Sequence, residues 1–171
     1  KKTQTIERKG IITTINKKTG NQIVALIAVH LFGNAVRLEK LVKICRKKNI
    51  VLIEDAAESI GTFYNLGKYK NKHTGTVGKI GCLSFNGNKI ITAGGGGMIL
   101  TNDQKIAKRA KYLTTQAKDD PINYIHNDVG YNFRLSNVQA ALGLAQLEAL
   151  PRYIKKKKNI HGIYKKEINK I

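Results

Sequence analysis

Two short apolar runs, separated by a stretch with helical periodicity, restrict the possible folds of this chain more than any other feature. Gln22–Val29 is the first run, and Ile50–Ile53 is the second, which ends on Glu54 and Asp55. Continuous apolar runs of this length are typical of strands that are buried on both faces of a parallel sheet. Between them, Leu38–Lys47 has apolar residues at helical spacing. A strand, a crossover helix and a strand within about thirty residues predict a right-handed βαβ unit.

The middle of the chain continues this alternation of strands and helices. Ile80–Phe85 and Gly97–Thr101 are predicted to be two further strands, and they follow a Gly-, Lys- and Asn-rich loop at Gly61–Gly78. Asn102 or Asp103 is expected to cap the next helix. The apolar stripe of that helix consists of Ile106, Ala107, Ala110 and Leu113.

The last third of the chain is predicted to contain a long loop followed by two helices. Thr115–Asn132 lacks periodicity, and loops of this length in compact domains are usually functional or ordered by a partner. Ser136 is expected to cap a helix at Asn137–Ala149, and Pro151 to open a further basic helix towards Ile171. The whole pattern predicts an α/β fold with a mostly parallel sheet and flanking helices. Ligands of such sheets bind at the carboxyl ends of the strands.

The formal net charge of +20 at pH 7 raises the question of a nucleic-acid partner. The lysines, however, are spread over the whole length, and the aromatic residues, 6% of the chain, are not interleaved with basic clusters. The densest block, Lys155–Lys158, falls on a predicted helix and is expected to be a solvated face. We therefore expect no specific nucleic-acid partner, and a basic nucleic-acid-associated protein that is not an enzyme is kept as an alternative.

Membrane segments, metal sites and disulfides are not expected either. No run of about 18 apolar residues occurs, so no membrane partner is predicted. Cys45 and Cys82 stand singly in apolar patterns, so both are expected to be buried, reduced and inert, which favours a cytoplasmic location. The four histidines have no zinc-like spacing. Because the only methionine is Met98 and the start has no apolar signal core, we expect an internal fragment of a longer protein.

Three polar residues stand at or just beyond the ends of predicted strands. Asp55 closes a strand, Ser84 lies near the end of another, and Lys89 follows it in the turn Asn86–Lys89. Pyridoxal 5'-phosphate (PLP) requires a carboxylate at its pyridine nitrogen, donors for its phosphate and an amine that forms a Schiff base. Each residue alone carries little weight, since a strand-terminal Asp is often a cap and this chain is rich in lysine.

The glycine run Gly94–Gly97 is not a nucleotide-binding P-loop. It lacks the Gly-Lys-Ser/Thr ending and precedes a predicted strand instead of a helix. Close approach of two backbone segments beside the lysine turn explains it better.

Four segments in this order form a combined motif. They are Ile53–Gly61 (IEDAAESIG), Ser84–Lys89 (SFNGNK), Gly94–Ile99 (GGGGMI) and Gly130–Ala141 (GYNFRLSNVQAA). Together they closely resemble the DegT-type PLP-dependent sugar aminotransferases, a branch of the aspartate aminotransferase (fold type I) superfamily. The likeness covers roughly His30 to Leu150 well and the first twenty residues or so poorly.

The resemblance implies a role for each site residue. Lys89 corresponds to the catalytic Schiff-base lysine, Asp55 to the partner of the pyridinium nitrogen, and Ser84 to a phosphate ligand. Glu58 corresponds to the residue beside the ring hydroxyl, where many members of the family have Gln. Asn132 corresponds to the residue that reaches the phosphate of the neighbouring subunit, which implies a homodimer whose partner packs on the preceding loop.

Three further polar residues near these motifs have less defined roles. His30, at a strand end, is expected to be structural. His126 is a candidate for lining the substrate pocket, and Arg134 either meets an anionic part of a ligand or forms a surface salt bridge.

Substrates follow from a narrower resemblance. Glu58, the turn Asn86–Lys89 and the segment Leu113–Ala117 resemble the subgroup that aminates UDP-linked 4-keto-6-deoxy-N-acetylhexosamines. This implies transfer of an amino group from glutamate to the keto carbon, with Lys89 moving the proton in each half-reaction. One alternative is a PLP-dependent sugar dehydratase, in which His replaces the Schiff-base lysine; lysine at position 89 argues against it. Another is a remnant that keeps the fold without turnover.

The resemblance also divides the chain. Residues 1–150 correspond to part of the large PLP-binding domain, and residues 151–171 to the start of the helix that leads to a small domain. Because the family's other sheet strands and its small domain are not in this sequence, we expect the 171 residues alone to be poorly soluble and inactive.

Overall fold

The computed structural model describes residues 3–8 and 11–169, in which a two-stranded hairpin precedes a four-stranded sheet and four helices. The strands are β1 (Thr3–Arg8), β2 (Ile11–Asn16), β3 (Ala25–Val29), β4 (Val51–Asp55), β5 (Ile80–Ser84) and β6 (Gly97–Leu100). The helices are α1 (Leu38–Lys47), α2 (Gln104–Thr114), α3 (Asn137–Glu148) and α4 (Leu150–Ile168).

The main sheet has the order β3-β4-β5-β6 and is mostly parallel, as predicted. β3, β4 and β5 run parallel to one another, and α1 makes the crossover from β3 to β4. β6 is antiparallel to β5, with Ser84 opposite Gly97. The α/β class and the βαβ unit are therefore confirmed, whereas the antiparallel hairpin of β1 and β2 was not predicted.

Only one face of this sheet is well covered. Side chains alternate between the two faces of a strand, so Ala28 and Leu52 point to one side and pack against Leu38 and Cys45 of α1. Ile27, on the other side of β3, is 63% exposed. The prediction that both faces of β3 are buried is wrong, because α1 covers one face and no described segment covers the Ile27 side to the same extent.

Cys82 lies on the less covered face and is half-buried, whereas Cys45 is buried, and both thiols are free. The prediction of full burial is thus confirmed for Cys45 and wrong for Cys82. Cys82 lies with its register partner Asp55 on the sheet face that α1 does not cover, so it is only half-buried.

The helix caps agree with the sequence. Asp103, and not Asn102, caps α2 by accepting hydrogen bonds from the N–H groups of Lys105 and Ile106. Ser136 forms a capping box with Gln139 at the start of α3. Pro151 lies in the first turn of α4, and the predicted end of that helix near Ile171 falls outside the described residues.

The predicted loop Thr115–Asn132 contains neither a helix nor a regular strand. Its two ends meet in an antiparallel bridge between Thr115 and Asn132. Arg109 of α2 pairs with Asp128, and the Tyr112 hydroxyl donates to Asp119 at 2.9 Å. Contacts within the chain thus hold this loop, and the proposed packing of a dimer partner on it stays a prediction.

Candidate active site

The carboxyl ends of the three parallel strands meet at one edge of the main sheet. The segments that follow them are the turn at His30–Gly33 after β3, the turn at Ala56–Gly61 after β4 and the turn at Phe85–Lys89 after β5. β6 begins at the same edge because it is antiparallel to β5. Three of the four motif segments, at Ile53–Gly61, Ser84–Lys89 and Gly94–Ile99, therefore meet at this edge.

Asp55 and Ser84 lie on the same face of the sheet at this edge. Asp55 is the register partner of Cys82, and Ser84 is two residues further along β5, so the three side chains share a face. The Asp55 Oδ1 atom accepts a hydrogen bond from Ala57 N at 3.0 Å, and Ser84 Oγ accepts one from Asn86 N at 3.4 Å. Burial raises the pKa of the Cys82 thiol, and the charge of Asp55 adds to this effect.

Lys89 and Glu58 are brought together across the edge. The lysine turn is closed by a hydrogen bond from Lys89 N to Asn86 O at 3.1 Å. The Lys89 side chain is only 15% exposed, and its Nζ atom lies 3.7 Å from Glu58 Oε1. The Lys89 amine is thus partly shielded from water and lies beside a carboxylate.

The glycine run makes the close approach that was expected. A Cβ atom on Gly97 would collide with the carbonyl oxygen of Leu83 on the neighbouring strand. Gly96 has φ of +83°, and its carbonyl oxygen accepts a hydrogen bond from Phe85 N at 2.9 Å. The start of β6 is therefore held against the end of β5, directly before the lysine turn.

Asn132 makes no direct polar contact with these side chains within residues 3–8 and 11–169. It is exposed, and no hydrogen bond or ion pair among residues 3–8 and 11–169 joins it to Asp55, Glu58 or Lys89. It lines a cavity of about 900 Å³ between the β5–β6 end of the sheet and α2, together with Arg134. The Nδ1 atom of His126 lies 2.7 Å from Gln116 O, so this histidine has a hydrogen-bond partner within its own loop.

The sequence predicted a structural role for His30 but did not reveal its partner, Glu54. Glu54 and His30 are fully buried, and His30 Nε2 lies 2.9 Å from Glu54 Oε2. The Nδ1 atom of His30 accepts a hydrogen bond from Val36 N at 3.1 Å, so the ring proton sits on Nε2 and is donated to Glu54. The signal in the sequence was a carboxylate at an inward position of a buried strand, which is rare without a partner.

Glu54 also holds the end of the loop that leads into β5. Its carboxylate accepts hydrogen bonds from the N–H groups of Gly75, at 2.9 Å, Val77, at 2.7 Å, and Gly78. Burial by itself raises the pKa of this carboxyl, but the bonds from His30 and the three backbone groups outweigh it. The pKa of Glu54 therefore lies below its usual value.

Two features are absent from the described residues. Within residues 3–8 and 11–169, no group of three or more His, Cys, Asp or Glu side chains is placed to hold a metal ion. Among the same residues, none of the helices combines the length and the apolar character needed to cross a membrane.

Comparison with known proteins places these motifs in a family. The model of the DegT/DnrJ/EryC1/StrS aminotransferase family matches residues 1–171. The chain belongs to this family. Pyridoxal 5'-phosphate is the cofactor of the family.

Individual members are similar over most of the chain. EpsN of Bacillus subtilis, described as a putative pyridoxal phosphate-dependent aminotransferase, is 43% identical over 149 residues, which are 87% of this chain and 37% of that protein. GDP-perosamine synthase of Escherichia coli O157:H7 is 41% identical over 160 residues, 94% of this chain and 43% of that protein. This chain thus spans about two fifths of the length of these curated relatives.

A solved structure of the family has the same fold. The DegT/DnrJ/EryC1/StrS aminotransferase from Brucella abortus superposes with a TM-score of 0.78 at 28% identity, covering 91% of this chain and 40% of that one. The chemistry of the groups at the sheet edge fits the family's cofactor. The edge carries a carboxylate at a strand end (Asp55), a hydroxyl on the same face (Ser84) and a shielded amine (Lys89).

Proposed function

We propose that the protein to which this chain belongs transfers an amino group from glutamate to the keto group of a nucleotide-linked 4-keto-6-deoxy sugar. Glutamate leaves as its 2-oxo acid, and the carbonyl of the sugar becomes an amine. The observation that carries the proposal is the edge on which Lys89 lies 3.7 Å from Glu58, next to the strand ends that bear Asp55 and Ser84, in a member of an aminotransferase family.

Four residues of this edge would hold the cofactor. Lys89 would bind it covalently through Nζ, and Asp55 would hold a proton on the pyridine nitrogen. Ser84 would donate its hydroxyl to the phosphate, and Glu58 would lie beside the ring hydroxyl. When bound, PLP supplies an electron sink for the carbon that loses its proton.

Two residues of this chain would act on protons during the reaction. The Nζ atom of Lys89 would remove the α-proton of the amino donor and release it again within the first half-reaction, and it would deliver a proton to the sugar carbon in the second. The negative charge of Asp55 would keep the pyridine nitrogen protonated, because an opposite charge close by favours the charged form of a titratable group.

Asn132 is proposed to serve the site of a second subunit in a homodimer. Its exposure and the absence of a polar contact with Lys89 in the described residues support this assignment. Residues 1–150 would be part of the large PLP-binding domain and 151–171 the start of the helix to a small domain. Residues 1–171 alone would be inactive, because one sheet face is left open to water and the closing segments are supplied by the rest of the protein.

UDP is proposed as the nucleotide, on the likeness of Glu58 and the turn Asn86–Lys89 to the UDP-sugar subgroup. The relative from Escherichia coli O157:H7 is named for a GDP sugar, so GDP is the competing outcome. Assays of the full-length protein with matched UDP- and GDP-linked 4-keto-6-deoxy sugars, and with glutamate as donor, decide between the two nucleotides. A PLP-dependent dehydratase would remove a hydroxyl group from the sugar without leaving an amine on it.

Reduction with borohydride tests the central assignment. The full-length protein is incubated with PLP, reduced and digested, and the peptides are analysed by mass spectrometry. We expect one reduced phosphopyridoxyl group on the peptide that contains Lys89, and amination of the keto sugar by the unreduced enzyme. Lys89→Ala should lose the label and lower kcat by at least about a thousandfold.

The matched control is Lys79→Ala. Lys79 has a half-exposed side chain and pairs with Asp103 at 2.7 Å, away from the sheet edge that bears Lys89. Lys79→Ala should keep both label and activity. Equal labelling of the wild type and Lys89→Ala would refute the assignment.

A further inference from the structure

The turn that follows β3 has an unusual backbone for its residue type. Leu31–Gly33 forms a single 3-10 turn in which Phe32 has φ of 52° and ψ of 31°. This is the left-handed region, which costs free energy for every residue except glycine. Phe32 nevertheless occupies it, and the residue is 81% exposed. Neither the sequence motifs nor the cofactor assignment explains a strained aromatic residue in water.

The strained turn is fastened to the candidate site by Glu58. The Oε2 atom of Glu58 accepts a hydrogen bond from Phe32 N at 2.8 Å, while Oε1 of the same carboxylate lies 3.7 Å from Lys89 Nζ. The backbone of Phe32 is thus separated from the amine by the width of one carboxylate. Glu58 therefore fixes the position of Phe32 relative to Lys89.

Further contacts hold the residues on either side of Phe32. Thr62 Oγ1 donates to Gly33 O at 3.0 Å. His30 N donates to Asp55 O at 2.9 Å, and its ring is held by the buried Glu54. A strained conformation persists only where the surroundings over-determine it, and such positions cluster at ligand sites.

We propose that Phe32 is a specificity-determining residue, whose ring packs against the apolar C–H face of the substrate sugar while Glu58 positions it. The inference rests on the proposed function, since it takes the keto sugar as the ligand. An aromatic ring offers a large rigid apolar surface, and a 6-deoxy sugar presents C–H groups and a methyl group that lose contact with water against such a surface. The amino donor glutamate is small and polar and gains little from it.

Kinetics of the two half-reactions in the full-length, PLP-loaded protein test the role of the ring. Phe32→Gly removes the ring, keeps the N–H group for Glu58 and suits the left-handed backbone, so its melting temperature should not fall below that of the wild type. The KM for the keto sugar should rise by about tenfold or more, as loss of a buried apolar contact predicts, with the KM for glutamate within about twofold of wild type. Phe32→Tyr should behave like the wild type.

A second readout follows the positioning by Glu58 without any assay of turnover. Hydrogen exchange of the Phe32 amide should accelerate by about tenfold or more in Glu58→Ala and stay slow in Glu58→Gln, because the Gln side-chain oxygen still accepts the hydrogen bond. The control is Leu66→Ala, which removes another strongly exposed apolar side chain and should change neither measurement.

The possible outcomes separate the two proposals. If the wild type aminates the sugar and Phe32→Gly leaves its KM within about twofold, or raises the KM for both substrates equally, the role of Phe32 is disproved while the proposed function stands. Unchanged exchange of the Phe32 amide in Glu58→Ala would disprove the positioning. If the wild type forms no linkage at Lys89 and transfers no amino group, both proposals fail together.

Discussion

At the scale of single residues, the most informative feature is the buried carboxylate of Glu54, which is fully hydrogen-bonded. Glu54 is fully buried, yet it accepts hydrogen bonds from His30 and from three backbone N–H groups. A buried carboxylate is tolerated only where hydrogen bonds replace its lost hydration. Since Glu54 immediately precedes Asp55, this cluster anchors the strand end on which the proposed cofactor partner stands.

Glu54→Gln should destabilise the full-length protein by about 2 to 4 kcal/mol, because the amide turns a donor group towards hydrogen-bond donors. The pH dependence has a defined sign. The pKa of Glu54 is lowered on folding, so its stabilisation is complete above the unfolded pKa and is lost as pH falls through the folded value. The free energy of unfolding, measured with urea, should fall between pH 7 and about pH 4. The fall should be smaller for Glu54→Gln than for the wild type. An equal loss in both proteins would contradict this role of Glu54.

At the scale of elements, the sheet edge is built by close packing of backbone against backbone. Gly81 of β5 lies against Gly75 of the loop that Glu54 holds, and a Cβ atom on Gly81 would overlap the carbonyl oxygen of Gly75. β5 can therefore carry Ser84 and the lysine turn to the edge only if position 81 has no side chain. No periodicity in the sequence shows this requirement, because it arises between segments that are apart in the chain.

Gly81→Ala should destabilise the protein by about 3 kcal/mol or more, since Glu54 holds the Gly75 loop and the ladders to β4 and β6 hold β5, so neither segment can move away without losing hydrogen bonds. Gly162→Ala is the matched control, because Gly162 lies within α4 and a Cβ there meets no atom within 4 Å. It should stabilise the protein by about 0.5 to 1 kcal/mol through helix propensity. Both unfolding free energies are measured by urea titration of the full-length protein. Similar effects of the two substitutions would show that the contact at Gly81 is unimportant.

At the scale of the whole molecule, the most informative feature is an exposed apolar surface near α3. The loop between α2 and α3 and the start of α3 expose large apolar side chains that water solvates poorly. They include Ile122, Tyr124, Val129, Phe133 and Val138. Asn132 lies at the base of the same loop, so a second subunit packed there would cover these side chains and receive Asn132 at its own site.

Mixing two inactive variants tests this shared site. If each site uses its own Lys89 and the partner's residue 132, a dimer of one Lys89→Ala and one Asn132→Ala subunit contains one intact site. Equal amounts allowed to exchange subunits should recover about one quarter of wild-type activity, because half of the dimers are mixed and each has one working site of two. Each variant alone is the control and should be nearly inactive. If mass spectrometry shows mixed dimers but no activity is recovered, Lys89 and Asn132 from different subunits do not serve one site.

Much of the fold was set by local patterns in the sequence. Apolar runs and helical spacing predicted the βαβ unit and α2, and the short-range chemistry of Asp103 and Ser136 predicted the caps. The order of the strands' polar ends placed Asp55, Ser84 and Lys89 at one sheet edge, because carboxyl ends of parallel strands share an edge. These features depend on residues close together in the chain, which is why sequence alone determined them.

Tertiary structure decided what depends on contacts between distant segments. It showed that β3 is covered on one face only, that Glu54 is matched by His30 24 positions earlier, and that Phe32 is held left-handed by Glu58 26 positions later. A buried charge and a strained aromatic are each unfavourable in isolation and become stable only when partners from other elements meet them. Such pairings leave no periodic trace in the sequence.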